Sequence, residues 1–160
     1  MKLMRGFLLG LGLVCSLGLP SGSLNRYTET VKVEWGKIGY NIGPLESKGF
    51  HHCSAVILDY GDSAFLAHAF PDFYHKVCSV TIVDELVRES RRRGLSPENA
   101  EAILNIGNKD DLEIIERGLR KYGIRIRQIV TDEPSDIEDS RDIRFDPSLD
   151  SIRVTPTAYD

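Results

Sequence analysis

Apolar residues follow three rhythms along this chain. From Phe7 to Leu19 they run almost unbroken; from Val31 to Phe70 they come in short runs punctuated by Gly, Pro, Asn, Asp and Ser; from Val80 to Leu119 many recur every three or four residues. Period two marks strands and period 3.6 marks helices. Val31–Trp35 alternates and predicts a strand, and Lys37–Ile42 predicts another, broken by Gly43-Pro44. Ser47–His52 reads as a loop delivering the chain to Cys53. The partly β-branched run Cys53–Tyr60 and the apolar run Ala64–Phe70 flank Gly61-Asp62-Ser63, with Pro71 closing the second, which predicts a β-hairpin. A connection from Pro71 to His75 follows. Val80, Val83, Leu86 and Val87 then predict a helix of about four turns. Arg91-Arg92-Arg93 in its last turn and Gly94 behind it suit the dipole and the C-cap.

Ser96-Pro97-Glu98 reads as a turn and Ala102–Ile106 as a short buried strand. Asn108 is a good N-cap for a helix over Lys109–Tyr122, with Asp110 and Asp111 in the first turn, Leu112, Ile115 and Leu119 along one face, and Gly123 at the end. Ile124–Val130 predicts a strand, Thr131–Ser140 an acidic loop, and Asp142–Asp146 with Ser151–Thr155 a second hairpin. These elements imply an α/β (α+β) sandwich: a mixed, largely antiparallel sheet carrying two main helices.

The first hairpin holds the candidate chemistry. A two-residue loop pairs residues whose numbers sum to 123 and sets His68 against Ala55; a four-residue loop sets His68 against Cys53. Side chains alternate along a strand, so Cys53 and His68 share a face in either register. Opposed Cβ atoms lie roughly 5 Å apart and diagonal ones about 7–8 Å, within reach of a thiol and an imidazole. An imidazole that takes the thiol proton makes a nucleophile suited to a peptide, an ester or a side-chain amide. A third polar group usually orients the imidazole. The plainer reading is a core cysteine acting as a small hydrophobe beside a hydrogen-bonded core histidine.

Composition narrows the classes. The 160 residues suit one domain with a full core. A charge of −4 argues against a general nucleic-acid partner. Lys2 and Arg5, the apolar run and Pro20-Ser21-Gly22-Ser23 together read as a signal peptide or hydrophobic leader over residues 1–23, with the globular domain at 24–160. Removing the leader takes 20 basic residues to 18 against 24 acidic ones, a charge of −6. The leader suggests export or a membrane tether, and a cytoplasmic chain if the true start lies downstream. In an oxidising compartment Cys53 and Cys78 have the option of a disulfide. His51, His52, Cys53, His68, His75 and Cys78 contain enough donors for zinc, but their spacings fit no familiar zinc pattern. His51 and His52, on extended backbone, would point to opposite faces. No metal is expected, and no phosphate-cradling loop opens either helix. His51 or His52 is an alternative base to His68.

The stretch Gly49–Pro71 resembles the active-site hairpin of the CheD-type chemoreceptor glutamine deamidases. The matching residues are Cys53, Ala55, Val56, Leu58, Ala67, His68 and Pro71. Ile106-Gly107-Asn108 before the second helix resembles that family's helix start. Arg144-Phe145-Asp146-Pro147 with Ile152-Arg153-Val154 resembles its C-terminal hairpin. The resemblance runs from about Val31 to Val154. It implies a hydrolase acting on side-chain amides: Cys53 as nucleophile, His68 as base and Ser47, in place of the family's Thr, as orienting residue. It implies no cofactor, and a partner protein with exposed glutamines, such as a chemoreceptor. Two places depart from the family pattern. Gly49-Phe50-His51-His52 replaces a Gly-rich approach to the cysteine, and a Gly-Gly-rich loop is shortened before Ile106. They motivate one alternative, a binding module that lost the reaction; the leader motivates another, an exported, toxin-like protein deamidase.

Overall fold

The computed structural model describes residues 29–71, 77–131 and 140–157. The predicted leader, His75 and most of the acidic loop lie outside the described residues.

Among the described residues nine strands form two sheets, and two α-helices cover one of them. The five-stranded sheet has the order β2-β5-β4-β6-β7, from β2 (Ile38–Asn41), β4 (Ser54–Asp59), β5 (Ala64–Ala69), β6 (Glu101–Ile106) and β7 (Arg125–Thr131). The four-stranded sheet has the order β1-β3-β8-β9, from β1 (Val31–Lys32), β3 (Leu45–Phe50), β8 (Arg141–Asp146) and β9 (Ser151–Pro156). Among the described strands only β1–β3 and β6–β7 pair in parallel. The α+β sandwich predicted from the pattern is the architecture found, divided into two sheets rather than one.

The period-two pattern of the larger sheet explains the layering. Val56, Leu58, Phe65, Ala67, Ala102 and Leu104 face the helices α1 (Ile82–Arg92) and α2 (Lys109–Lys121), where they meet Ile82, Leu86, Ile115 and Leu119. Ala55, Ile57, Ala64, Leu66 and Ile103 face the opposite way, onto Leu45, Phe50, Ile143 and Phe145 of the smaller sheet. The central strands are therefore apolar on both faces, as the near-continuous hydrophobic runs demand. Asn108 caps α2 as expected, its side chain accepting from Asp110 N at 3.0 Å.

The β4–β5 turn is the two-residue one. Ser54 pairs with Ala69, Ala55 with His68, and Asp59 with Ala64. Tyr60 N donates to Ser63 O at 2.9 Å, and Gly61 has φ +87° while Asp62 keeps a negative φ. Positive φ at the first central position alone is the type II′ hairpin turn.

Three expectations are corrected. Ser47–His52 is not simply a loop: Leu45–Phe50 is a strand, in which Leu45 and Ser47 are buried while Lys48 is exposed. Its Ser-Lys-Gly composition hides the alternation. The first helix begins at Ile82 and runs three turns, so Val80 lies ahead of it, exposed. The first strand stops at Lys32, because Glu34–Lys37 forms a turn with Gly36 at φ +67°.

Candidate functional site

A bulge in β3 sets the site. Ser47 pairs with Ile143, yet Phe50 pairs with Arg141, so Lys48 and Gly49 of β3 together oppose Asp142 alone on β8. Gly49, at φ +76°, absorbs the extra residue. The bulge reverses the alternation, and Ser47 and Phe50 both point into the layer between the sheets. A Cβ on Gly49 would sit 2.9 Å from the Trp35 ring, whose Nε1 donates to Lys48 O at 2.8 Å. Glycine thus allows both the left-handed turn and the aromatic cover over it.

His68, on β5, projects into the same layer and is wholly buried. Its ring lies flat against Phe50, with centroids 3.7 Å apart and planes at 15°. Its backbone is held on the outer side too: His68 N donates to Lys37 O and His68 O accepts from Gly36 N, both at 3.1 Å. Ser47 Oγ lies 2.9 Å from His68 Nδ1 and 2.6 Å from Val33 O. These two contacts assign the imidazole proton. A carbonyl only accepts, so the one hydroxyl proton of Ser47 goes to Val33 O. His68 Nδ1–H must then donate to Ser47 Oγ, which leaves Nε2 with a lone pair. Nε2 is buried and has no hydrogen-bond partner among the described residues. Burial also pushes the His68 pKa down to about 4, so the ring is neutral at pH 7.

Cys53 precedes β4 by one residue. It is half-buried and packs against the inter-sheet core, the layer that His68 enters. Extending the Ala55–His68 register by two residues puts Cys53 diagonal to His68, at the about 7–8 Å Cβ spacing of such neighbours. The other face of β4 is anchored to α2: Ser54 Oγ donates to the buried Asp111 at 2.9 Å. Gly107 lies so close that a Cβ there would fall 2.5 Å from Cys53 O and 2.8 Å from His52 C. Only glycine lets the start of α2 press against the backbone that carries the thiol.

Cys53, His68 and Ser47 therefore share one layer, drawn from β3, β5 and the residue just ahead of β4. No disulfide joins Cys53 to Cys78, which is buried beside Thr81. His51 and His52 do not point to opposite faces. The chain bends there, and their rings lie 3.9 Å apart. Among the described residues no group of three or more His, Cys, Asp or Glu is placed to hold a metal; His75 lies outside them. No family model matches this chain, and no curated protein matches it.

Several contributors were not singled out from the sequence. Phe50 and Trp35 wall the imidazole, and a groove of about 610 Å³ between Trp35, Val33, Lys48 and Ser47 reaches the Ser47 end of the cluster. Asn105 is buried on the inter-sheet face, pairing with Ala55. Its one signal in the sequence was an amide interrupting the run Ala-Ile-Leu-Asn-Ile. Chemically, the arrangement joins a half-buried thiol, a neutral imidazole of assigned tautomer and an orienting hydroxyl, the parts needed to attack a carbonyl carbon.

Proposed function

We propose that this protein is a CheD-like protein-glutamine deamidase, a hydrolase of side-chain carbon–nitrogen bonds with Cys53 as nucleophile. One observation carries the reading. Ser47 holds His68 as the Nδ1–H tautomer, with an unpartnered Nε2 on the face that Cys53 shares. A core histidine kept for packing alone needs no unsatisfied nitrogen, since buried polar groups ordinarily find partners. The order of motifs along the chain, with its resemblance to the deamidase hairpin, supplies the substrate class.

The reaction runs in two halves. His68 Nε2 accepts the Cys53 thiol proton as the sulfur bonds to the amide carbon of a glutamine side chain. Backbone N–H groups near Cys53 hold the oxyanion. The C–N bond breaks, His68 returns the proton to nitrogen, and ammonia leaves a thioester. Water then adds to the thioester, giving its proton to His68, and a glutamate carboxyl and the Cys53 thiol are restored. No oxidant, reductant or cofactor enters. The partner is a protein with exposed glutamines, a chemoreceptor or, for an exported chain, an external target.

One feature favours a second reading, a binding module that retains the fold. His68 is fully enclosed, under Phe50. The two readings part on ammonia release from casein and from benzyloxycarbonyl-Gln-Gly. The deamidase reading expects release that stops in Cys53→Ala and in His68→Ala, with both variants folded. Equal background from all three proteins would leave the binding module.

A further inference from the structure

The inter-sheet layer contains a second unsatisfied group beside the first. Asn105 on β6 is 1% exposed, and neither its Nδ2 nor its Oδ1 has a partner among the described residues. Asparagine offers two donors and an acceptor of two lone pairs, so leaving all of them empty is costly. Leucine would fill nearly the same volume at no such cost. Its place in the register is specific. Ala55 pairs with His68 on one side and with Asn105 on the other. The three form one row across β5, β4 and β6, all on the face that bears Ile57, Leu66 and Ile103. Ala55, the middle member, is a single methyl. The row therefore reads orphan imidazole nitrogen, methyl, orphan carboxamide. Cys53 stands one step along the face, diagonal to both.

We infer that Asn105 is the substrate-recognition residue of the site and selects a primary carboxamide. The assignment rests on the deamidase reading above. A carboxamide is complementary to another carboxamide: Asn105 Nδ2–H donates to the substrate carbonyl, while the substrate N–H donates to Asn105 Oδ1. Both bonds lie in the plane of the substrate amide, which leaves its faces open to the Cys53 sulfur. As sulfur bonds to carbon, the carbonyl oxygen gains charge and its bond from Nδ2–H strengthens, which is transition-state stabilisation. A glutamate product presents only acceptors. One of its oxygens then faces Asn105 Oδ1, so the product is repelled where the substrate was held. Esters lack the N–H and lose one of the two bonds.

The test uses Asn105→Leu in the full chain, with benzyloxycarbonyl-Gln-Gly as substrate. Ammonia release should fall at least 100-fold, chiefly in kcat. Alkylation of Cys53 by iodoacetamide should stay within twofold of wild type, because thiol and base are untouched. Tm should hold or rise by a few degrees as an unpaired buried amide gives way to an apolar side chain. Asn105→Asp supplies a second readout. Its carboxyl matches a carboxamide only when protonated, so its residual release should be confined to acidic pH. Release by Asn105→Leu within threefold of wild type overturns the assignment. So does a joint fall of release, alkylation and Tm, which marks Asn105 as a structural residue. If Cys53→Ala releases as much ammonia as wild type, the deamidase reading fails and this assignment falls with it.

Discussion

Replacing Ser47 by Ala removes one oxygen that serves two buried partners. In the wild type that oxygen donates to Val33 O at 2.6 Å and accepts from His68 Nδ1 at 2.9 Å. Ser47 and His68 are both buried, so loss of the hydroxyl takes from His68 Nδ1–H its one protein partner among the described residues. A buried donor left unsatisfied costs about 1–3 kcal/mol. With the hydroxyl gone neither ring nitrogen has a partner among the described residues, so the preference for Nδ1–H disappears and the proton is shared between Nδ1 and Nε2. A ring protonated on Nε2 is disabled as a base, because Nε2–H accepts no thiol proton. If the lost bond is worth about 1.4–2.8 kcal/mol, the working tautomer declines about 10- to 100-fold relative to the other. The expected outcome for Ser47→Ala is therefore a destabilisation of about 1–3 kcal/mol in urea unfolding and ammonia release lowered at least about twofold, in step with the fraction of rings that still carry the proton on Nδ1. Nitrogen NMR of the imidazole should show Nδ1 protonated in the wild type and the proton shared or moved in the variant. Ser47→Thr, which keeps the hydroxyl, should retain the wild-type tautomer and most of the release. Unchanged tautomer and unchanged release in Ser47→Ala would refute the reasoning.

Two further outcomes follow from the same geometry. Burial holds His68 near pKa 4 in the folded protein against an ordinary 6.5, so the unfolded chain binds more protons between those values. Stability should fall as pH drops from about 6.5 to 4, by about 3 kcal/mol for this one group, and His68→Phe should flatten that part of a urea-midpoint titration; an equal slope in both proteins would contradict the burial effect. Gly107→Ala puts a methyl 2.5 Å from Cys53 O, so the cysteine backbone must move; a destabilisation of about 1–3 kcal/mol by urea unfolding, together with an altered Cys53 alkylation rate, is the expected result, and wild-type values for both would show that the contact relaxes freely.

The β4–β5 hairpin was legible because its information is local. Gly61-Asp62 between two apolar runs specifies a two-residue turn, and the turn fixes which residues oppose. Parity then puts Cys53 and His68 on one face without reference to the rest of the molecule. The helix ends were legible for the same reason, through Asn108, Gly94 and Gly123, the two glycines at positive φ. What escaped was set by distant contacts. Ser47 sits in a segment of loop-like composition, and only pairing with β8 makes it a strand. The bulge at Gly49 turns Phe50 inward, and a simple alternation would have sent it outward. The same bend region brings His51 and His52 together, against the expectation from extended backbone. Apolar alternation marks a buried face but not the sheet that covers it, so the division into two sheets was not readable. Asn105 is inconspicuous in the sequence because it follows an apolar run, and its missing partners appear only in three dimensions.

Burial also changes how the thiols must be compared. Cys78 is 2% exposed, so it would label more slowly than Cys53 on access alone, whatever the state of Cys53. The informative control is Cys53 itself with and without its base. The decisive measurement is the iodoacetamide alkylation rate of Cys53 at pH 6 in the wild type and in folded His68→Ala. An imidazole that accepts the thiol proton predicts a rate at least about tenfold higher in the wild type. Equal rates would mean that His68 does not act on the sulfur and would contradict the account at its centre.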